Sequence, residues 1–257
     1  MLDLHTHVLP GVDDGAADLA EALEMLALAQ DDGTTCLAAT PHYIDERFKT
    51  TKAEVVPLVA ELNAAAAAQG LQVRIVPGAE VHIAPTLPRE LDRIATLNLT
   101  QYLLLELPFH HYPSFVEQVV FELQLRGMVP VMAHAERITH FQQHPEALAT
   151  LVERGVLVQV TGGSVLGQFG SRAQAAAELM LRSGMAHVLA SDGHWPTTRP
   201  PVLSAARARV SELIGDATAT LLVETIPQRI VDGQPVDVPR PDLAAASTRP
   251  RWRFWRG

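Results

Sequence analysis

The sequence predicts an α/β protein whose parallel strands close into a distorted barrel, and three observations support this fold class. Short, almost wholly apolar runs alternate with longer stretches whose apolar residues have helical spacing. A glycine follows most of the helical stretches, which is typical of repeated βα units. The continuous hydrophobicity of the short runs indicates parallel strands that are covered on both faces.

Seven apolar runs are predicted as strands, and the helical stretches lie between and after them. The strands are expected at residues 1–5, 34–40, 71–80, 101–107, 128–136, 155–163 and 186–194. The helices are expected at residues 17–32, 52–69, 114–126, 145–154, 167–183 and 201–214, and each is followed closely by a glycine. Seven such units favour a distorted seven-stranded (β/α) TIM-like barrel over a flat sheet.

The composition changes near the end of the chain and predicts a domain boundary there. A length of 257 residues suits one large barrel, and the chain becomes rich in Pro, Ala and Arg after Gly233. We therefore expect a single domain over residues 1–235 and a flexible tail over residues 236–257. The motif "RPRWRFWRG" interleaves arginine with aromatic residues, which suits an anionic membrane surface, although a solvated, disordered end explains it equally simply.

The overall charge, the N-terminus and the cysteine content exclude several classes of protein. A net charge of −9 argues against nucleic acid as the main partner. The N-terminus lacks a basic region and no apolar run reaches the roughly 18–20 residues of a membrane span, so a cytoplasmic protein is expected, membrane-proximal if the tail binds lipid. The single cysteine, Cys36, has His42 and not arginine six positions later, which disfavours a Cys-x5-Arg phosphatase.

Imidazoles and carboxylates lie at the end of six predicted strands. In an α/β barrel these ends open onto one face, where active sites lie. Either Asp13 or Asp14 can join the set from the first loop. The residues at the strand ends are His5, His7, His42, Glu80, Glu106, His134, Asp192 and His194.

This donor set predicts a metal centre with more than one ion. Nitrogen and oxygen donors suit Zn, Mn or Fe, whereas soft-metal sites need thiolates. Nine donors exceed what one catalytic ion takes, so two or three ions with bridging carboxylates are expected. Such clusters are typical of phosphate-ester hydrolases.

Two arginines follow the strand-end donors and indicate a phosphate ligand. Arg137 lies three residues after His134, and Arg199 lies seven residues after Asp192. A guanidinium fork suits phosphate oxygens. The segment "VTGGS" (160–164) either offers backbone N–H groups to an anion or is a plain turn.

The motifs "DLHTHVLPGVDDG", "ATPHY", "PGAEVHI", "LLLELP", "PVMAHAER", "VTGGSV" and "ASDGHW" resemble those of a known family. They are similar to the bacterial PHP-type (polymerase and histidinol phosphatase) protein-tyrosine phosphatases of capsule and exopolysaccharide synthesis. The resemblance runs in order from about residue 1 to 230.

The resemblance implies a PHP-fold barrel with three divalent ions, with manganese expected and zinc, iron or cobalt as alternatives. It implies one site from His5, His7, Glu80 and Asp192, and a second from Glu80, Glu106 and His134. It implies a third site from Asp14, His42 and His194. Arg137 and Arg199 match the arginines that hold phosphate in this family.

The resemblance also implies the reaction and its partner. A metal-activated hydroxide would hydrolyse phosphotyrosine on a protein, and the expected substrate is the tyrosine-rich tail of a polysaccharide-synthesis tyrosine autokinase. Two alternatives stay open. One is a PHP phosphoesterase that acts on a small metabolite such as histidinol phosphate, and the other is a catalytically weak regulatory module that docks on the kinase.

Overall fold

The computed structural model describes residues 1–44, 47–237 and 239–246, and the strands of these residues form two sheets. One sheet has the order β1-β2-β5, and the other has the order β10-β9-β8-β7-β6-β3-β4. Every neighbouring pair is parallel except β3 and β4. The strands are β1 (Leu2–Thr6), β2 (Cys36–Ala39), β3 (His42–Ile44), β4 (Phe48–Lys49), β5 (Arg74–Pro77), β6 (Glu80–His82), β7 (Tyr102–Glu106), β8 (Val129–Met132), β9 (Leu157–Thr161) and β10 (Val188–Ala190).

This architecture confirms an α/β protein with parallel sheets and corrects the number of strands. The second predicted strand (34–40) contains only β2, and a first gap separates β2 from β3, which was not predicted. The third predicted strand (71–80) contains β5, and a second gap separates β5 from β6, of which only Glu80 was predicted. Pro41 stands in the first gap and has no N–H for a ladder. Gly78 stands in the second gap, where a Cβ would lie 2.9 Å from Cγ2 of Thr40. The short antiparallel strand β4 was not predicted.

Each predicted helix corresponds to an observed one within a few residues, and several short helices were not predicted. Asp18 caps the first helix, because its carboxylate accepts hydrogen bonds from the N–H groups of Ala20 and Glu21. The helices are α1 (Leu19–Asp31), α2 (Lys52–Ala68), α3 (Val116–Leu125), α4 (Thr139–Gln143), α5 (Pro145–Glu153), α6 (Gly162–Val165), α7 (Ser171–Arg182), α8 (Ser204–Ile214), α9 (Asp216–Thr220), α10 (Ile226–Val231) and α11 (Leu243–Ala246). A π-helical segment, Leu221–Thr225, joins α9 to α10.

The apolar core falls into three clusters that follow the sheets. The largest contains residues of β6 to β10 together with α3, α5, α7 and α8. A second packs α1 and α2 on β2 and β5. The third takes alternate residues from both sheets, among them Leu2 and Leu4 of β1 and Val188 and Ala190 of β10.

The carboxyl ends of β1 and β10 meet, although the two strands belong to different sheets. The N–H of His7 donates to the carbonyl of Gly193 (2.8 Å), and the N–H of Asp192 donates to the carbonyl of His5 (2.9 Å). A bridge between Thr6 and Gly193 continues this parallel contact. The first and last strands therefore deliver their polar ends to the same place.

The C-terminal residues that the structure describes lie against the body of the protein. The N–H of Asp242 donates to the carbonyl of Ser183 at 2.8 Å, and Leu243 packs on the largest core cluster. Trp252, Trp255 and the arginines of "RPRWRFWRG" lie outside the described residues. Within the described ranges, every helix is too short or too polar to cross a bilayer.

Candidate metal centre

The nine predicted metal ligands lie together at the carboxyl ends of the strands. Most of them are buried, and Asp14 is the most exposed, with 44% of its side chain accessible. His5 belongs to β1, His42 to β3, Glu80 to β6 and Glu106 to β7. His7, His134, Asp192 and His194 follow β1, β8 and β10. Three groups of donors, each within 4.8 Å of one another, could hold an ion: His7, Asp14, His42 and His194; His5, His7 and Glu80; and His42, Glu80 and Glu106.

The innermost donors have the spacing of ligands around one cation. Nε2 of His5 lies 3.3 Å from Nε2 of His7, 3.4 Å from Oε2 of Glu80 and 3.4 Å from Oδ1 of Asp192. Tetrahedral ligands at about 2.1 Å from a metal are separated by about 3.4 Å. All four side chains are buried, so these donors are shielded from water.

Further donors lie on either side of this inner set. Nε2 of His134 lies 2.6 Å from Oε1 of Glu80 and 3.8 Å from Oε1 of Glu106. On the other side, Oδ1 of Asp14 lies 3.3 Å from Nε2 of His42 and 3.6 Å from Nε2 of His194. Glu80 therefore has one oxygen toward the inner set and one toward His134.

One close contact within the cluster does not form a hydrogen bond. Nδ1 of His42 lies 3.0 Å from Oε2 of Glu80 without the geometry of a hydrogen bond. Burial raises the pKa of Glu80, but the charges of His5 and His134 outweigh burial and hold it well below its usual range. A buried carboxylate in this state needs positive charge beside it, which divalent cations supply.

Two hydrogen bonds orient the imidazoles of the inner set. Oδ2 of Asp13 lies 2.7 Å from Nδ1 of His7 and also accepts from the N–H of His42. Oε1 of Gln159 lies 3.1 Å from Nδ1 of His5 and accepts from the N–H of His134 at 2.7 Å. In both cases Nε2 is left to face the other donors, as in carboxylate–histidine–metal arrangements.

His194 is held as a neutral imidazole. Its Nδ1 donates to the carbonyl of Asp192 at 2.9 Å. Burial, together with the nearby charge of His7, lowers the pKa of His194 to about 3. A neutral imidazole with a free Nε2 is the state that a metal ligand requires.

Two of the donors adopt left-handed backbone conformations. His134 has φ of 30° and Asp192 has φ of 55°. Non-glycine residues rarely adopt these values, and they cluster at functional sites where the surrounding structure maintains the strain. Each residue lies two positions beyond the last residue of its strand, in the turn that places its side chain beside the other donors.

Both predicted arginines contact the donor cluster through Asp192. Nη1 of Arg137 donates to Oδ2 of Asp192 at 3.1 Å, and Nη2 of Arg199 donates to the same oxygen. Oδ1 of Asp192 faces His5 instead. Nε of Arg199 is buried and has no hydrogen-bond partner among the residues that the structure describes. The arginines therefore retain donors for a further anion.

The sequence reasoning missed Gln159 and the aromatic residues around the cluster. Gln159 is a polar residue inside the apolar run "GVLVQV", and this interruption was a usable signal. Phe48 stacks on His42, with ring centroids 6.0 Å apart. Phe109 packs on His134 at 5.0 Å, and Trp195 packs on His194 at 5.3 Å.

Two histidines outside the predicted set have defined contacts. His187 is buried and accepts a hydrogen bond from the N–H of Val158 at 3.0 Å, which is a structural role. His82 points toward the cluster, with Nδ1 3.3 Å from Oε2 of Glu106. The "VTGGS" segment contacts a buried carboxyl group of the protein itself, because Thr161 N–H and Ser164 Oγ both donate to Oε1 of Glu136.

Together the parallel α/β fold and this donor cluster define an α/β protein with a candidate metal-binding centre at its strand ends. A family profile for capsular polysaccharide synthesis proteins, CpsB/CapC, matches residues 1–232. The chain belongs to the CpsB/CapC family.

Relatives of the chain include proteins named tyrosine-protein phosphatases. The chain is 36% identical to the tyrosine-protein phosphatase YwqE of Bacillus subtilis over 201 residues, 77% of this chain and 79% of YwqE. It is 25% identical to the tyrosine-protein phosphatase CpsB of Streptococcus pneumoniae over 241 residues, 91% of this chain and 99% of CpsB.

Solved structures also match the fold of this chain. One from work on YwqE and CpsB, described as unique metal-dependent tyrosine phosphatases, matches with a TM-score of 0.89 and 32% identity, over 94% of this chain and 98% of that chain. A lactonase from Listeria monocytogenes matches with a TM-score of 0.57 and 12% identity, over 90% of this chain and 94% of that chain. At that identity the likeness concerns the fold alone.

Proposed function

We propose that this protein is a metal-dependent protein-tyrosine phosphatase. The observation that carries the proposal is the placement of two arginines, Arg137 and Arg199, on the carboxylate of Asp192 at the edge of the donor cluster. The proposed metal ligands and the two guanidinium groups that would bind phosphate are therefore adjacent, as phosphoryl transfer requires. The tyrosine phosphatases YwqE and CpsB among the relatives support the same reaction.

We assign the donors to three divalent ions, with manganese as the expected metal and zinc, iron and cobalt as alternatives. His5, His7, Glu80 and Asp192 would hold the first ion. Glu80, Glu106 and His134 would hold the second, and Asp14, His42 and His194 would hold the third. The distances between donor atoms support the first and third sets. For the second set, His134 lies near both Glu80 and Glu106, although the compact donor group around these two carboxylates contains His42 instead.

The chain's own residues would bind the phosphate and orient the ester. The free N–H donors of Arg137 and Arg199 would take the equatorial oxygens and stabilise the charge that develops on them. Bound ions would supply a hydroxide nucleophile at neutral pH and would polarise the phosphoryl oxygens. The tyrosine phenolate leaves readily, since its conjugate acid has a pKa of about 10.

A comparison of two substrates tests the proposal. The manganese-loaded protein is expected to hydrolyse a phosphotyrosine peptide with a kcat/KM at least about tenfold above that for histidinol phosphate, because a difference of that size needs only one or two side-chain contacts. The substitution His5→Gln should abolish turnover, whereas the matched substitution of an exposed histidine, His111→Gln, should not. Preference for histidinol phosphate would instead assign a small-metabolite phosphoesterase. If no metal restores activity after depletion, the chain is a regulatory module.

We further propose that the physiological substrate is the tyrosine-rich tail of a polysaccharide-synthesis kinase. The capsular polysaccharide context of the family supports this partner. Incubation with the phosphorylated tail peptide of such a kinase should release phosphate, and a scrambled phosphotyrosine peptide serves as the control. Equal rates on both peptides would show that the protein does not prefer the sequence of that tail.

We also propose that both sheets form one distorted seven-stranded barrel. Three observations support closure: β2 leads directly into β3, β5 leads directly into β6, and Thr6 bridges to Gly193. The third apolar cluster, which takes alternate residues from seven strands, is the interior that such a barrel would have. The barrel domain would comprise residues 1–235.

Residues 236–257 are proposed as a tail that contacts an anionic membrane surface and keeps the protein membrane-proximal. Its arginine and tryptophan residues support this proposal. Binding to anionic vesicles should weaken with salt and disappear when residues 240–257 are deleted. If the protein still binds the vesicles after the deletion, the tail is not the membrane-binding segment.

A further inference from the structure

The connection between α6 and α7 presents one aromatic ring toward the two arginines. Its sequence is "GQFG", and both flanking glycines have positive φ, 81° at Gly167 and 89° at Gly170. The N–H of Gly170 donates to the carbonyl of Gly167 at 3.1 Å, which closes a tight turn. Side chains rarely tolerate these backbone angles, so the turn depends on both glycines. Phe169 lies at its tip.

The ring of Phe169 contacts both guanidinium groups. The Cζ atom of Arg137 lies 4.3 Å from the ring centroid, and the Cζ atom of Arg199 lies 5.2 Å from it. Phe109 covers Arg137 at 4.4 Å, so this guanidinium lies between two rings. These distances are within the range of cation–π attraction.

Gly163 provides the space that the ring of Phe169 occupies. A Cβ at position 163 would lie 2.8 Å from Cε2 of Phe169 and 2.7 Å from Oε1 of Gln168. The carbonyl of Gly163 also accepts from the N–H of Gln168 at 2.9 Å. The second glycine of "VTGGS" therefore leaves the space in which this ring packs. The sequence alone indicated only an anion-binding segment or a plain turn for this motif.

We propose that Phe169, seated on Gly163, is a positioning residue that holds Arg137 and Arg199 together as one phosphate-binding fork. This inference rests on the proposed phosphatase function. An aromatic face attracts a guanidinium without using its N–H donors, which stay available for phosphate oxygens. Asp192 also brings the arginines together, but it accepts a hydrogen bond from each and so uses one N–H donor of each guanidinium. The ring also offsets part of the repulsion between the two neighbouring cations.

The test measures phosphate binding apart from turnover. Titration calorimetry with inorganic phosphate and steady-state kinetics with p-nitrophenyl phosphate are applied to Phe169→Leu, Phe169→Trp and Gly163→Ala. Phe169→Leu should weaken phosphate binding by about 5- to 30-fold and raise KM similarly, because two cation–π contacts are lost. Phe169→Trp keeps an aromatic face and should stay within about threefold of wild type. Leu166→Ala, at an exposed position near the same turn, is the matched control and should change neither quantity.

Two further results separate positioning from simple loss of structure. Gly163→Ala should weaken phosphate binding in the wild-type background but add little in the Phe169→Leu background, because both changes act through one ring. The Nε–H resonances of Arg137 and Arg199 in 15N-arginine spectra should move in Phe169→Leu, since the ring current is removed, while the thermal midpoint stays within a few degrees.

The outcomes distinguish this inference from the function on which it rests. If Arg137→Ala weakens phosphate binding and Phe169→Leu does not, the phosphatase proposal stands and the positioning role is wrong. If the wild type binds phosphate with the expected dependence on Phe169 but hydrolyses no ester, the phosphatase proposal is wrong instead. If the wild type binds no phosphate, both are wrong.

Discussion

At the residue scale, the carboxylate of Asp192 connects the candidate metal donors to the two arginines. Its Oδ1 faces His5 and its Oδ2 accepts from Arg137 and Arg199. Burial raises the pKa of Asp192, but the charges of His5 and Arg199 outweigh burial and lower it overall. A substrate phosphate must compete with Oδ2 for the arginines. A cation held by His5 and Asp192 would weaken that competition, because it would withdraw charge from the carboxylate.

Asp13 is not a proposed metal ligand, but it contacts the proposed ligand His7, and we predict that it affects metal affinity. Burial raises its pKa, but the charge and hydrogen bond of His7 lower it to about 2, so it is a carboxylate at any working pH. Asp13→Asn keeps the shape and presents an amide to His7. Metal affinity should fall by about 10- to 100-fold, since the tautomer and orientation of His7 are no longer fixed.

Competition with a fluorescent chelator measures this loss of metal affinity. Asp31→Asn, which changes a carboxylate at the end of α1, is the matched control and should bind metal as the wild type does. Unchanged affinity in Asp13→Asn would mean that His7 keeps its orientation without this carboxylate.

At the element scale, β2 contains the thiol that a cysteine phosphatase would need. Cys36 is buried, and burial raises its pKa, although Arg74 opposes this. Cys36→Ala should retain turnover of p-nitrophenyl phosphate within about twofold and lose about 1 kcal/mol of stability through lost packing. Kinetics together with urea unfolding would check both. Loss of turnover with the unfolding midpoint retained would contradict the metal-only mechanism.

His187 lies just before β10 and accepts a hydrogen bond from Val158 of β9. We expect this buried histidine to make the stability of the protein depend on pH. Burial lowers the pKa of His187 to about 4, below its value of 6.5 in an unfolded chain. Between these values the unfolded state binds more protons, so the free energy of unfolding rises with pH. This increase amounts to at most about 3 kcal/mol between pH 4 and 6.5.

The variant His187→Asn isolates this contribution from the other ionisable groups. Asparagine keeps an acceptor for the N–H of Val158 and does not titrate. The difference in unfolding free energy between wild type and variant, measured in urea from pH 4.5 to 7, should shrink as the pH falls. A difference that is constant with pH would show that His187 does not titrate differently in the folded state.

The same elements show which features were predictable from sequence. Donors such as Glu80 and His134 follow buried parallel strands, and parallel strands bring their ends to one edge, so their convergence needed only the order of the elements. The role of Phe169 was not predictable in this way, because it depends on contacts with arginines that are distant in sequence. For Gln159 the sequence offered the polar interruption of an apolar run, but not its partner His5. The breaks after β2 and β5 depend equally on packing, as the close approach of Gly78 to Thr40 illustrates.

At the scale of the whole molecule, the proposed centre links six strands, β1, β3, β6, β7, β8 and β10. Its donors range from residue 5 to residue 194, so they join both sheets. Bound cations would therefore stabilise the fold as well as the reaction, because ligands that bind only the folded state shift the unfolding equilibrium. Metal dependence should accordingly be visible in stability without any substrate.

Metal removal makes this dependence measurable. Chelation followed by dialysis should abolish turnover and lower the thermal midpoint, and manganese should restore both. At about 1,000 times the dissociation constant each site contributes about 4 kcal/mol, which for a domain of this size is about 10 °C. Asp14→Asn, at the exposed edge of the centre, should reduce the shift that manganese produces but leave the metal-free midpoint unchanged. A midpoint that is the same with and without manganese would contradict a centre that joins the two sheets.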